Sequence, residues 1–344
     1  MTPAAIICTQ AGEAARSLDD DSATLLLTGS LARDEATFVL RNGVLTGLGD
    51  ADFFLVSKRD DSAPADRIKK DLEDRLRRQR IACPITVNAV TRRYLQSLPP
   101  HILTYETRHS GRVVYGDPSI FSLIPAYRVQ DLSLLDAFCL LSNRMVEFLE
   151  IAGELAVSPI HYRTVKLYLD MATAFLLAQG VFQPTYRARA AELWSRAPEW
   201  KVAGFAARVE ACTAIKLGGF QSIPEDAPSW QQAVFDAHRV WRLLLVRLTE
   251  AGPAFSDSEL VHRLMRQQPL LLTLRGWLSV LRHAGLRRVR GWQNNEGLLA
   301  SPRYLLYQAA SERFFGLPWT RDWAPDSIRQ LASDYHQVLE KTRA

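Results

Sequence analysis

Several things are scarce in this 344-residue chain. Its four cysteines, Cys8, Cys83, Cys139 and Cys212, stand far apart with no CxxC pair. That spacing argues against a zinc ribbon or a thioredoxin-type site and suits core thiols in a reducing compartment. The seven histidines are scattered, with no HExxH. Long apolar runs are missing too. The most apolar stretch, LYLDMATAFLLAQGVF, is interrupted by Asp170 and Gln179 and is too short to span a bilayer. The first twenty residues carry no basic segment ahead of an apolar one, so no signal peptide is expected. These absences predict a cytoplasmic protein with no membrane partner. There is no internal repeat and no low-complexity tract. What remains is ordinary globular material, 47% hydrophobic and 23% charged, with a formal net charge of +5. That balance fits an anionic ligand such as a nucleotide without demanding DNA or RNA.

The predicted fold class is α+β. A small mixed-sheet domain is expected over residues 1–125 and an all-α domain over 126–344. In the first part, ATLLLTG reads as a buried strand and ATFVLRNGVLTG as a hairpin, because Asn42-Gly43 suits a type I′ turn. ADFFLVS and ITVNAVT read as further strands. PADRIKKDLEDRLRRQR reads as a charged helix with Ile68, Leu72 and Leu76 on one face. HILTYETR and RVVYG flank Ser110-Gly111 and predict a second hairpin. Asp117 reads as a turn cap. Beyond Pro125, Leu134, Phe138, Leu141, Met145 and Phe148 recur at helical spacing. A second helix ends at Gly180, and helical patterns cover about 184–198, 201–217, 228–250, 256–284 and 302–342.

The chemistry-bearing residues sit in the first domain. A glycine at a strand-to-helix turn lets the backbone approach a phosphate, so Gly29, the Ser30 hydroxyl and the following amides form a candidate phosphate loop. In a strand, residues i and i+2 project together. Asp50 and Asp52 therefore form a carboxylate pair able to hold Mg²⁺, or Mn²⁺, with a triphosphate completing the shell. Aspartate is disfavoured in strands, so a pair of them ahead of FFLV asks for a reason.

Thr28-Gly29-Ser30, Arg33 and the Asp50-Ala51-Asp52 segment resemble the DNA polymerase β-type nucleotidyltransferase superfamily. Within it, the GSLARDE stretch looks like the small bacterial members with a helical C-terminal domain, including the antibiotic-modifying kind. The resemblance covers about residues 22–120. It implies an NTP donor, often ATP, a divalent cation on Asp50 and Asp52, and transfer of a nucleoside monophosphate to an acceptor hydroxyl or phosphate. The acceptor is left open between a small molecule, a protein and a tRNA end. Two departures stand out. Asp34 replaces the glycine of the usual GSxxRG, and nineteen residues separate Ser30 from Asp50, a length the Asn42-Gly43 hairpin accommodates. The superfamily's third carboxylate is also missing from ITVNAV, which offers Thr86 and Asn88. Glu106 is then the candidate base, reaching over from the neighbouring strand. Arg33 is expected to support the phosphate loop or to pair with Glu35. Lys166, Lys216, Arg187 and Arg189 are candidate contacts to triphosphate or acceptor, although each reads first as a surface cation. The rival expectation is a catalytically inactive nucleotide-binding regulator or antitoxin-like partner protein. The cluster Arg282, Arg287, Arg288, Arg290 and Trp292 raises nucleic-acid binding, which is not favoured over a solvated helix end.

Overall fold

The computed structural model describes residues 2–18, 22–58, 61–150, 162–220, 227–284, 300–316 and 333. The chain is α+β, with two small mixed sheets and many helices. It forms two compact units, Met1–Ser133 with Gly180–Glu225, and Leu134–Gln179 with Asp226–Ala344. Residues 180–225 thus group with the strand-bearing unit, whereas the strand signals alone had suggested one break near 125.

The first unit opens with helix α1 (Pro3–Arg16), begun by Thr2, whose hydroxyl accepts from the Ala5 amide. Strand β1 (Thr24–Thr28) leads into the one-turn helix α2 (Gly29–Ala32). The hairpin β2 (Phe38–Arg41) and β3 (Val44–Gly47) turns at Asn42 and Gly43 with φ of +50° and +74°, the left-handed pair a type I′ turn requires. Strand β4 (Ala51–Ser57), helix α3 (Ser62–Arg78), the short β5 (Ile81–Ala82) and β6 (Ile85–Thr91) follow. Then come α4 (Arg92–Gln96), α5 (Ile102–Ser110) and β7 (Arg112–Tyr115).

The main sheet runs β6-β4-β1-β7, with β1 antiparallel to β4 and β7, and β4 parallel to β6. Both its faces are covered, which explains why β1 reads as an unbroken apolar run. On one face, Leu25, Leu27, Phe53 and Leu55 pack with Ile7 and Ala11 of α1 and Ile68 and Leu72 of α3. On the other, Leu26, Phe54 and Val56 pack with Leu95, Leu98, Ile120 and Ile124.

HILTYETR is helix α5, not a strand, and β7 pairs with β1. Isoleucine, tyrosine and two threonines favour strands only weakly, and tertiary context overrides them. The Pro99-Pro100 pair just ahead suits a helix start. Asp117 is a cap as expected, its Oδ1 accepting from the Ser119 amide at 2.8 Å.

The unit is completed by α8 (Tyr186–Trp200) and α9 (Ala203–Leu217). The second unit holds α6 (Leu134–Glu150), α7 (Tyr162–Ala178), α10 (Trp230–Thr249), α11 (Asp257–Arg266), α12 (Leu270–Ala284) and α13 (Pro302–Phe315). The expected α6 stripe is buried at Phe138, Leu141, Met145 and Phe148. Phe138 stacks on Tyr304, and Phe148 meets Phe314 edge-on. Among the described residues no strand follows Tyr115, and no helix is long and apolar enough to cross a membrane.

Candidate functional site

The turn after β1 and the start of β4 come together through sheet register. Thr28 is the antiparallel partner of Asp52, and its hydroxyl donates to the Asp52 carbonyl at 3.2 Å. The next residue, Gly29, has φ +70°. A Cβ built there would lie 3.2 Å from Asp52 Oδ2. The left-handed backbone favours glycine at this position, and a side chain there would crowd the Asp52 carboxylate. Asp52 is half-buried. Asp50 is exposed and stands just ahead of β4 rather than inside it.

The two aspartates act on a common neighbour. Burial first, then the charges of Asp50 and Asp52, push the Cys83 thiol up to about 12, while a hydrogen bond with the Ala51 backbone works against this. The thiol donates to the Gly49 carbonyl at 3.4 Å. Cys83 had been read only as a core thiol. Its nearness to the aspartates comes from β5 running beside β3, a two-residue strand with no sequence pattern of its own.

Across β4, the parallel partner of Asp52 on β6 is Thr86, and Asn88 is exposed opposite Phe54. Among the described residues no group of three or more His, Cys, Asp and Glu side chains is placed to hold a metal ion. Asp52 beside a glycine turn, with Asp50 just ahead on the chain, is compatible with Mg²⁺, which is commonly bound through one or two carboxylates plus substrate phosphates.

Arg33 and Glu106 lie in a different constellation. The Arg33 side chain is 3% exposed, and it donates from Nε to Glu35 at 3.2 Å and from Nη1 to Glu106 at 2.5 Å. Burial opposes its charge, but the carboxylates of Glu106 and Glu35, with Tyr186 nearby, outweigh it and raise its pKa. The other Glu106 oxygen accepts from Arg189 Nη2. Arg189 also donates to the carbonyls of Gln183, at 2.7 Å, and Pro184, at 3.2 Å. The Glu35 carboxylate accepts the first two amides of α8, from Tyr186 at 2.9 Å and Arg187 at 3.0 Å. The Tyr186 ring lies under both guanidiniums.

Of the two roles expected for Arg33, the pairing with Glu35 is present, and Arg189 is buried in the same network. Lys216 is buried, and its carbonyl accepts from the Thr37 hydroxyl. The Arg187 side chain is exposed, whereas Lys166 belongs to the second unit. Arg287, Arg288, Arg290 and Trp292 lie outside the described residues, as does most of the helix expected over 302–342 beyond Gly316.

The Asp34 departure also has a structural reading. Asp34 has φ +57°, the conformation that favours glycine and that aspartate tolerates better than most residues. Its carboxylate pairs with Arg112 of β7, with one contact at 3.1 Å.

Compared with known proteins, the chain matches no family model, no curated protein and no solved structure.

Proposed function

We propose that the first unit is a metal-dependent nucleotidyltransferase domain of the polymerase β type. The observation that carries this reading is the Gly29 turn seated against Asp52, where a side chain would meet the carboxylate. In this reading the Ser30 hydroxyl and the amides of the turn orient the phosphates of an NTP. Asp50 and Asp52 hold the divalent cation, Mg²⁺ or Mn²⁺, that comes with the nucleotide. A bound cation supplies neutralisation of the charge that builds on the departing pyrophosphate. The protein's own contribution is placement: a fixed turn, and Asp52 on a β4 anchored on both sides in a packed sheet, with Asp50 at its entrance. The product is a nucleoside monophosphate ester on an acceptor, which is a small molecule, a protein or a tRNA end. The free cysteines suit a cytoplasmic setting.

A second reading is favoured by a separate observation. Thr86, not a carboxylate, is the register partner of Asp52, and both Glu106 oxygens are engaged by arginines. A nucleotide-binding regulator without turnover fits that arrangement.

The deciding experiment incubates the protein with each α-labelled NTP, Mg²⁺ or Mn²⁺, and fractionated lysate, with Asp50→Ala/Asp52→Ala as the blank. Label moving onto one fraction with release of pyrophosphate, both lost in the double variant, is the expected result. Binding of nucleotide with no pyrophosphate from any NTP selects the regulator. No binding at all rejects both readings.

A further inference from the structure

We propose that Arg33, Glu35, Glu106 and Arg189 form a positioning clamp that sets the Gly29–Ser30 turn by fastening it to the start of α8. The proposal rests on the reading of that turn as the phosphate loop.

Helix α2 has four residues, too few to hold its own geometry. It is fixed from its far end. The Ser30 carbonyl accepts the Glu35 amide at 2.9 Å, and the Leu31 carbonyl accepts the Asp34 amide at 3.2 Å. These bonds make the position of Glu35 the position of the turn. The Glu35 carboxylate is in turn fastened to the first two amides of α8, where the helix dipole favours an anion. Arg33, the C-cap of α2, is fastened to Glu106 of α5, and Glu106 to Arg189 in the first turn of α8. Two guanidiniums meet two carboxylates, so the buried set is electrically balanced, the condition under which such a network stays closed. The four side chains are between 3% and 12% exposed.

Glu106 therefore acts on the nucleotide through Arg33 and the turn and does not touch the reacting atoms. This separates it from a general base. Loss of a base lowers kcat and flattens the acid side of the pH profile. Loss of a positioning contact raises the KM for nucleotide and leaves kcat and the profile in place.

The test compares the full-length protein with Glu106→Gln and Arg189→Lys, and needs no acceptor for its first arm. Amide hydrogen exchange is followed on peptides covering residues 28–36 and 185–190, with β4 and α3 as internal references. Exchange at the two clamp peptides is expected to rise by about tenfold, the change that about 1.4 kcal/mol of local opening produces, while the references hold. Unchanged clamp peptides overturn the proposal. A uniform rise across the unit overturns it as well, because it would mark general stability and no local fastening. If Glu106→Gln fails to fold, Arg189→Lys, which keeps the charge but cannot span the two carbonyls, carries the measurement.

In the second arm, with Mg²⁺ and ATP, both variants are expected to weaken nucleotide binding with kcat retained. A fall in kcat with loss of the acid limb in Glu106→Gln would make Glu106 a base and sink the clamp. If the wild-type protein neither binds nor consumes ATP, the reading of the site fails. The exchange data still decide whether the clamp holds the turn.

Discussion

Each unit holds a cluster of charges, buried in the first and part-buried in the second, and the two are built on different plans. In the first unit, two guanidiniums meet two carboxylates, and the partners lie far apart in sequence, 73 residues between Arg33 and Glu106 and 83 between Glu106 and Arg189. In the second, Arg144, Glu147, Arg163, Lys166 and Asp170 come from consecutive helices α6 and α7. There Arg144 Nε donates to Asp170 at 2.6 Å, and Glu147 accepts from both Arg144 and Arg163. Lys166 lies in the same cluster, within electrostatic reach of Arg144, Glu147, Asp170 and Arg163. The long-range, balanced cluster decides which segments belong to one unit. The local one bridges a single helix pair.

Removing one arginine from each cluster should break both, with the largest effects expected anywhere in the chain. Arg144→Ala takes from Asp170 the guanidinium it accepts from, whereas Arg189→Ala leaves Glu106 paired with Arg33. Arg144→Ala should cost about 3–5 kcal/mol of unfolding free energy in urea titration, the range for a buried ion pair left half-made, and Arg189→Ala should cost less. Limited proteolysis separates the two. Arg189→Ala should open new cleavage between residues 180 and 200, whereas Arg144→Ala should leave that stretch protected. Equal protection in both variants would end the distinction between long-range and local clusters.

A smaller effect tests what the first cluster holds in place. Gly29→Ala forces a Cβ into a left-handed backbone and against Asp52. It should cost about 1–2 kcal/mol and abolish nucleotide binding. A variant with unchanged binding would show that the turn is not a phosphate loop.

Lys166 in the second cluster gives a pH signature. Burial, reinforced by Arg144 and Arg163, lowers Lys166 below the ordinary lysine value of 10.5, although Glu147 and Asp170 pull the other way. Between the native value and 10.5, the unfolded chain keeps a proton that the folded chain has released, so stability rises with pH through that window. Lys166→Met should flatten the rise and leave stability at pH 7 equal or slightly higher. A slope that persists in the variant would assign it to another group.

The smallest effect belongs to the exposed pair Asp34–Arg112. Asp34→Gly loses a surface ion pair but relieves a left-handed aspartate, so the melting temperature should shift little, by less than about 1 kcal/mol equivalent. A large fall would mean that this pair belongs with the buried clusters.

The local pattern of the fold was legible in the sequence. The Asn42-Gly43 turn, the α3 face of Ile68, Leu72 and Leu76, and the α6 stripe all follow from periodicity and turn chemistry, which act over a few residues. The Gly29 turn was legible from its own glycine signal, but strand alternation paired Asp50 with Asp52, whereas Asp50 lies ahead of β4 and Gly29 meets Asp52 through β1–β4 register. What could not be read was the company each residue keeps. Glu106 looked like a strand residue because its neighbours favour strands, and its partners Arg33 and Arg189 lie at distances no window covers. The place of residues 180–225 in the first unit was hidden for the same reason. Glu35 meets α8 across 151 residues, and nothing around Tyr186 announces it.

The interrupted course of the first unit also has a consequence in time. Its sheet and α5 leave the ribosome well before Arg189 does. At roughly 5–20 residues per second, the 83 residues from Glu106 to Arg189 take about 4–17 s to synthesise. Through that interval Glu106 and Glu35 have no α8 to bind, while α6 and α7 of the other unit have already emerged. The nascent chain cannot finish one unit before starting the next. Its first part stays incomplete until a helix made later returns to close it.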